Sequence, residues 1–274
     1  MILLGDTTPY RPGVRVVDVS GVPVGARDIV IAAGPCAVES EGQLLESARA
    51  VKAAGASILR GGAFKPRTTP DSFQGLGAEG IRLLKLASLR YKIPIVTEIM
   101  DIASASKFGK DIDLIQVGAR NSQNFSLLKH LAVQGRPVLL KNGMANTVDE
   151  WIGASRYLTD GGNNDVILCY RGVRSFETRT RFSMDVGAIA AVCNSSSMPV
   201  AADPSHAAGK RRYVAPLALA SIAAGADMLE IEVHPDPDAA LSDRDQQLSF
   251  DEFSDLMEKL ERLAEAMGRG IYRL

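Results

Sequence analysis

The sequence has few of the features that mark membrane, secreted or nucleic-acid-binding proteins. No run approaches the roughly 20 apolar residues that a membrane helix needs, and the N-terminus has no basic leader. The three cysteines lie far apart, so they indicate neither a disulfide framework nor a zinc ribbon. The 31 basic residues balance 32 acidic ones, which gives no support to nucleic acid or a membrane surface as a partner. A reducing cytoplasm is the simplest compartment.

The order of the apolar segments predicts the fold. Short β-rich apolar runs alternate with helical patterns, and 274 residues is near the usual length of one (β/α)8 barrel. We therefore expect an α/β fold, a (β/α)8 TIM barrel. Its predicted strands are Ile29–Ala33, Ala56–Arg60, Pro94–Glu98, Leu114–Val117, Val138–Lys141, Val166–Tyr170, Val200–Ala202 and Met228–Val233. A doubly wound open sheet is the alternative, although no dinucleotide-binding glycine pattern follows the first strand.

A short segment before the barrel has the pattern of a β-hairpin. Apolar residues alternate on both sides of Ser20-Gly21, which is a turn signal. We expect this hairpin to cap one end of the barrel. The predicted domains are an N-terminal extension with the hairpin (1–27) and the catalytic barrel (28–274).

A basic loop, residues 60–75, follows the second predicted strand. Its glycines and prolines prevent a regular element from continuing. Arg60, Lys65 and Arg67 could present cationic donors to an anion, and Thr68 could add a hydroxyl. The loop therefore favours a phosphorylated ligand, with a solvated basic loop as the alternative.

Polar residues recur where the other predicted strands end, which is where the chemistry of such barrels lies. Cations follow the second, fourth, fifth and sixth strands: Arg60, Lys65, Arg120, Lys141 and Arg171. Like charges repel strongly in a poorly screened cleft, so their convergence would require an anion. Cys36, His206 and a carboxylate from Glu232 or Asp243 could form a mixed S/N/O metal site. Taken singly, each of these cations is more often a surface residue than a ligand, Cys36 is most often a core residue, and His206 is most often a hydrogen-bonded loop residue.

Several ordered motifs resemble one known family from about Asp28 to the C-terminus. They are Gly34-Pro-Cys-Ala-Val-Glu-Ser40, Arg60-Gly-Gly-Ala-Phe-Lys-Pro-Arg-Thr68, Gly118-Ala-Arg-Asn121, Leu140-Lys-Asn-Gly143, Asp203-Pro-Ser-His206 and the segment from Glu232 to Asp243. The chain resembles 3-deoxy-D-arabino-heptulosonate 7-phosphate (DAHP) synthase of the short type I β branch. That resemblance implies condensation of phosphoenolpyruvate with erythrose 4-phosphate, the first step of the shikimate pathway. Because only a short segment precedes the barrel, we expect no feedback inhibition through an added regulatory domain.

The resemblance also implies roles for individual residues. Cys36, His206, Glu232 and Asp243 would hold one divalent metal ion per subunit, which could be Mn, Fe, Zn or Co. The phosphoenolpyruvate phosphate would be held by Arg120, Lys141, Arg171 and the Ala119 backbone, with Arg60 and Lys65 at its carboxylate or phosphate. Arg67 and Thr68 would hold the sugar phosphate. Glu98 would orient the attacking water. A homo-oligomer is expected, with a tetramer favoured.

Two departures from the family pattern and three alternative functions remain. Tyr170 stands where the family more usually has Glu, and Asn142 where Arg is frequent. The related 3-deoxy-D-manno-octulosonate 8-phosphate synthase, which uses arabinose 5-phosphate, is the first alternative; it typically carries Ala-Asn-Arg where this chain has Lys65-Pro-Arg67-Thr68. A Schiff-base aldolase would use Lys141 with a depressed pKa. A barrel that binds phosphosugars without catalysis is the third.

Overall fold

The computed structural model describes residues 7–66, 69 and 71–274. Within them, eight parallel strands form a closed barrel, which confirms the predicted TIM barrel. A separate antiparallel pair, β1 and β2, precedes it. The strands are β1 Val17–Val19, β2 Val22–Val24, β3 Val30–Gly34, β4 Ile58–Arg60, β5 Ile95–Glu98, β6 Leu114–Val117, β7 Val138–Lys141, β8 Val166–Tyr170, β9 Val200–Ala202 and β10 Met228–Glu232. The barrel runs in chain order from β3 to β10, and β10 pairs with β3 to close it.

Helices connect the barrel strands on the outside. They are α1 Glu41–Ala53, α2 Ala78–Tyr91, α3 Ile102–Phe108, α4 Phe125–Ala132, α5 Val148–Thr159, α6 Val186–Ser195, α7 Pro204–Ala208, α8 Arg211–Ala223 and α9 Phe250–Ala266. The capping box predicted before Trp151 is present, since Thr147 and Glu150 exchange side-chain and backbone hydrogen bonds at the start of α5. No helix in the described part of the chain is both long and apolar enough to cross a bilayer.

The strand predictions differ from the structure only at their ends. The third predicted strand includes Pro94, but β5 begins at Ile95 because proline has no N–H to donate to the ladder. The last predicted strand includes Val233, which forms an isolated bridge with Leu248 and lies outside β10. The apolar runs therefore predicted the middle of each strand correctly. The exact first and last residues depend on features such as the missing N–H of proline.

The N-terminal hairpin fills one end of the barrel. Its four valines, Val17, Val19, Val22 and Val24, are fully buried. They belong to one cluster with barrel-interior side chains such as Ile58 and Met228. The catalytic end of such a barrel is the opposite one, where the strands terminate. The hairpin is thus part of the core that supports that end.

Candidate active site

Four residues that sequence analysis assigned to a metal lie together at the carboxyl ends of the strands. One donor atom each from Cys36, Glu232 and Asp243 lies within 4.8 Å of the other two. His206 Nε2 lies 3.5 Å from Glu232 Oε1 and 3.7 Å from Asp243 Oδ2. We call these four residues the ligand group. They come from the β3–α1 loop, α7, the end of β10 and the segment after it.

The ligand group has the chemistry that a divalent transition metal requires. A thiol, an imidazole and two carboxylates are a mixed S/N/O set suited to several such ions. Glu232 Oε1 is buried and accepts no hydrogen bond within the described residues, although Arg60 Nη1 lies 3.3 Å away. Asp243 has φ of +46°, a left-handed conformation that residues other than glycine adopt rarely. The chemistry of the four residues therefore fits a metal ion. Asp243 joins the group from a left-handed backbone conformation.

Asp203 orients His206, and sequence analysis did not assign it a role. It caps the N-terminus of α7, where its Oδ1 accepts a hydrogen bond from the His206 backbone N–H at 2.9 Å. Its Oδ2 lies 2.6 Å from His206 Nδ1. A carboxylate on one ring nitrogen leaves the other to face the ligand group, as is usual for metal-binding histidines. The signal in the sequence was the capping position of the aspartate three residues before the histidine.

Lys65 lies beside the thiol of the ligand group. Its Nζ is 3.0 Å from Cys36 Sγ and 3.1 Å from the Cys36 carbonyl oxygen. Burial, and then the nearby Glu232 carboxylate, raise the pKa of Cys36 to about 12, while the Lys65 ammonium opposes that rise. Lys65 thus joins the ligand group to the adjoining cavity, which it also lines.

A cavity of about 200 Å³ opens next to the ligand group; we call it the site cavity. It brings together seven of the residues predicted from sequence: Lys65, Glu98, Ala119, Arg120, Arg171, His206 and Asp243. Their elements are far apart in the chain and meet only because parallel strands end at one edge of the barrel. Arg67 and Thr68, predicted to hold the sugar phosphate, lie outside the described residues.

Arg171 is a buried cation with no ion pair in the described part of the chain. Its residue is 5% exposed, and Nη1 makes no hydrogen bond. The guanidinium lies 3.7 Å from the centre of the Phe182 ring. Burial lowers the pKa of Arg171 to about 10, although Asp203 acts in the opposite direction. A desolvated charge of this kind is costly unless a ligand neutralises it, so Arg171 indicates an anion site.

Arg60 and Lys141, two other predicted substrate ligands, are instead paired with carboxylates. Arg60 lies 3.2 Å from Glu230 and 3.3 Å from Glu232. Lys141 lies 2.5 Å from Asp203 and 2.9 Å from Glu230. Neither cation is among the residues that line the site cavity. Sequence analysis assigned no role to Asp203 or Glu230, so it counted both cations as available for substrate.

The surroundings of Lys141 also bear on the Schiff-base alternative. Burial alone would lower the pKa of Lys141, but Asp203 and Glu230 more than offset it and hold the pKa above its ordinary value. A Schiff-base lysine must lose its proton before it attacks a carbonyl. The premise of a depressed pKa is therefore wrong for this lysine.

The two departures from the family pattern have structural roles. Asn142 is buried; its side chain accepts a hydrogen bond from the Arg171 N–H at 2.8 Å and donates to the carbonyls of Gly143 and Gly172, both at 3.1 Å. Tyr170 packs its ring against Trp151, with centres 6.0 Å apart. Asn142 thus supports the backbone that carries Arg171.

The position of Glu98 depends on a glycine in the neighbouring loop. A Cβ atom at Gly118 would lie 2.0 Å from Glu98 Oε1. Only glycine therefore permits this carboxylate to lie where it does, at the wall of the site cavity. Its position is compatible with the predicted contact to an attacking water.

Fold and site together define a class: a (β/α)8 barrel whose strand ends combine a cavity lined by cations with a group of potential metal ligands. Residues 15–269 match the sequence model of the DAHP synthetase I family. The chain is 42% identical over 259 residues to phospho-2-dehydro-3-deoxyheptonate aldolase of Thermotoga maritima, covering 94% of this chain and 77% of that protein. It is 30% identical over 273 residues to 2-dehydro-3-deoxyphosphooctonate aldolase of Alkalilimnicola ehrlichii, covering 92% and 98%.

Solved structures agree with the sequence comparisons. The crystal structure of the Thermotoga maritima DAHP synthase superposes with a TM-score of 0.92 at 41% identity, over 95% of this chain and 76% of that one. A truncated form of 3-deoxy-D-arabino-heptulosonate 7-phosphate synthase from Thermotoga maritima gives a TM-score of 0.87 at 38% identity, over 96% and 97%. The chain belongs to the DAHP synthetase I family. The family resemblance predicted from the motifs is thereby confirmed.

Proposed function

We propose that this protein condenses phosphoenolpyruvate with erythrose 4-phosphate and water to give 3-deoxy-D-arabino-heptulosonate 7-phosphate and phosphate. The observation that carries the proposal is the site cavity, where Arg171, which has no ion pair among the described residues, lines one space with His206 and Asp243 of the ligand group. Anion binding and carbonyl activation can therefore act on adjoining groups of the bound substrates. The family membership and the name of the Thermotoga maritima relative support the same reaction.

Arg171 and Arg120 are the proposed ligands of the phosphoenolpyruvate phosphate, with the Ala119 backbone beside them. Both side chains line the site cavity, and two guanidinium groups suit the oxygens of one phosphate. Lys65, between the cavity and the ligand group, would hold the carboxylate. Arg60 and Lys141 would not bind substrate directly. They would hold the carboxylates of Asp203, Glu230 and Glu232 in place.

Cys36, His206, Glu232 and Asp243 would hold the divalent ion that the family resemblance implies. Bound there, it would supply Lewis-acid polarisation of the aldehyde oxygen of erythrose 4-phosphate. Asp203 would keep His206 turned toward the ligand group through its contact with Nδ1. The donor set suits Mn, Fe, Zn or Co.

The proposed reaction makes one carbon–carbon bond and one carbon–oxygen bond and breaks the bond between C2 and the phosphate oxygen, and the two protons of the water pass to the former aldehyde oxygen and to the phosphate. The C3 carbon of phosphoenolpyruvate attacks the aldehyde carbon, a water oxygen adds to C2, and phosphate leaves with its bridging oxygen. Glu98 lies at the cavity wall, where the absence of a side chain at Gly118 leaves room for its carboxylate. It would accept a hydrogen bond from that water and orient it. Arg120 and Arg171 would stabilise the departing phosphate.

Arabinose 5-phosphate is the alternative acceptor, as the name of the 30% identical relative suggests. The higher identity to the heptonate aldolase, 42%, favours erythrose 4-phosphate. The test is phosphate release from phosphoenolpyruvate by chelator-treated protein with either aldose, before and after Mn²⁺ is added. We expect release with erythrose 4-phosphate and Mn²⁺ together. Preference for arabinose 5-phosphate would move the function to the octulosonate synthase.

A matched pair of cysteine variants tests the metal assignment. Cys36→Ala should abolish phosphate release and Co²⁺ binding, measured from the absorbance of a thiolate–Co²⁺ complex, since it removes one of the four proposed ligands. Cys193→Ala should change neither, because Cys193 lies on α6 and contacts the Gly225 carbonyl instead. Full turnover by Cys36→Ala without added metal would contradict the assignment.

The assembly and the compartment remain predictions. A homo-oligomer with four subunits is testable by sedimentation of the purified protein. The cytoplasm is the predicted location, in keeping with two phosphorylated substrates.

A further inference from the structure

Two neighbouring glutamines, Gln246 and Gln247, lie buried beside the ligand group. Gln246 is 2% exposed, and Gln247 is fully buried. Burying an amide costs free energy unless its oxygen and its nitrogen both find hydrogen-bond partners. Both side chains find these partners at the ligand group, and sequence analysis assigned neither glutamine a role.

Gln247 links the two loops that carry Cys36 and Asp243. Its Oε1 accepts a hydrogen bond from the Cys36 backbone N–H at 2.9 Å, and its Nε2 donates to the Ser242 carbonyl oxygen, also at 2.9 Å. Ser242 directly precedes Asp243, which has the left-handed backbone conformation. One side chain thus fixes the backbone at two ligands that are 207 residues apart in the chain.

Gln246 holds the carboxylate of a third ligand, Glu232. Its Nε2 donates to Glu232 Oε2 at 2.6 Å, while its Oε1 accepts a hydrogen bond from Arg181 Nη1 at 3.0 Å. The other oxygen, Glu232 Oε1, accepts no hydrogen bond from the described residues and lies 3.5 Å from His206 Nε2. The amide therefore determines which oxygen of Glu232 faces the ligand group.

The backbone around the two glutamines is fixed by contacts outside the ligand group. The Leu248 N–H donates to the Glu232 carbonyl, and the Leu248 carbonyl accepts from the His234 N–H, both at 2.9 Å. Arg211 Nε donates to the Gln247 carbonyl at 2.8 Å. The glutamine side chains therefore start from a backbone that is already held against the end of β10.

We propose that Gln246 and Gln247 are positioning residues of the metal centre, which hold Cys36, Glu232 and Asp243 at the spacing of one divalent ion before the ion binds. The inference rests on the proposed function, because it takes the ligand group to bind a metal. Ligands that are already in place bind more tightly, since less conformational freedom is lost on binding. Neither glutamine lines the site cavity, so their loss should weaken metal binding and spare phosphoenolpyruvate.

The test is a Co²⁺ titration of chelator-treated protein, followed by the absorbance of the thiolate–Co²⁺ complex. Gln246→Met and Gln247→Met, made singly, keep the length of the side chain and remove its hydrogen bonds. Each should raise the Kd for Co²⁺ by about 10- to 100-fold, the usual effect of losing a partner of a metal ligand. At saturating Co²⁺, the KM for phosphoenolpyruvate should equal that of the wild-type protein.

Gln134→Met is the matched control, because Gln134 is half-buried and contacts His130 of α4 instead. It should leave the Kd for Co²⁺ unchanged, whatever it does to stability in urea. If Gln247→Met does not fold, Gln247→Asn takes its place: it keeps the amide but is one methylene shorter, so it cannot span both partners and should raise the Kd as well.

Two results would overturn the inference. The first is wild-type affinity for Co²⁺ in folded variants of both glutamines, and the second is a raised KM for phosphoenolpyruvate with an unchanged Kd for Co²⁺. Failure of the proposed function would look different. Wild-type protein that binds no Co²⁺ would refute the metal assignment, whereas wild-type protein that binds Co²⁺ but releases no phosphate with any aldose would refute the reaction and leave the positioning role standing.

Discussion

The two buried cations Arg171 and Lys141 differ in whether a carboxylate lies beside them. Both are buried at the ends of neighbouring strands. Lys141 has two carboxylates within 2.9 Å, whereas Arg171 has no ion pair in the described part of the chain. A paired buried cation supports the folded state, while an unpaired one lowers stability and is kept for a ligand.

Removing the two cations should therefore change stability in opposite directions. In the absence of substrates, Arg171→Met should raise the free energy of unfolding by about 1 kcal/mol, because the cost of a desolvated charge exceeds its contact with Phe182. Lys141→Met should lower it by about 3–5 kcal/mol, since it leaves buried carboxylates unpaired. Urea unfolding of both variants measures this. Destabilisation by Arg171→Met as large as that by Lys141→Met would show that Arg171 is paired in solution.

The side chain of Asn142 links the ends of two neighbouring strands, β7 and β8, by hydrogen bonds. Asn142, just after β7, makes three hydrogen bonds within its own turn and to the backbone after β8. The loop that carries Arg171 thereby takes its position from the strand beside it. Substrate affinity should consequently depend on a residue that does not line the site cavity.

Asn142→Ala tests that dependence. It leaves the buried Arg171 N–H without its acceptor, which should cost about 1–3 kcal/mol of stability. It should also raise the KM for phosphoenolpyruvate several-fold more than it lowers kcat. Asn194→Ala is the matched control, because Asn194 is exposed and its side chain donates to the Ala190 carbonyl of its own helix α6. An unchanged KM in a destabilised Asn142→Ala protein would confine the residue to a structural role.

The N-terminal hairpin and the barrel share one hydrophobic cluster. Each of the four hairpin valines is fully buried in a cluster with barrel-interior side chains. Burying one such side chain stabilises the fold by roughly 1.5 kcal/mol or more. The boundary predicted at residue 27 thus divides the chain without dividing its core.

The fragment 28–274 should accordingly be far less stable than the full chain, with a loss of several kcal/mol that calorimetry would detect. Within the full chain, Val19→Ser should lower Tm, whereas the matched Val133→Ser should not, because Val133 is 76% exposed. A fragment that melts at the temperature of the full chain would show that the extension is dispensable for the barrel.

The sequence by itself determined the barrel and predicted most of the residues that the structure brings together at the strand ends. Strand interiors, the Thr147 capping box and the polar residues at strand ends depend on local pattern, and a parallel barrel places all strand ends at one edge. The cluster of Cys36, His206, Glu232 and Asp243 followed from that rule together with the family motifs. These features need no knowledge of which residues meet across the barrel.

Only the tertiary structure decided how the charges are paired. Asp203, just after β9, and Glu230 on β10 reach Lys141, so the cation that looked available for substrate is neutralised, while Arg171 has no ion pair among the described residues. Arg181 likewise reaches Asp243 from a loop about 60 residues earlier in the chain. A charge acts through its nearest partners in space, and electrostatic interaction and burial depend on distances that sequence separation does not specify.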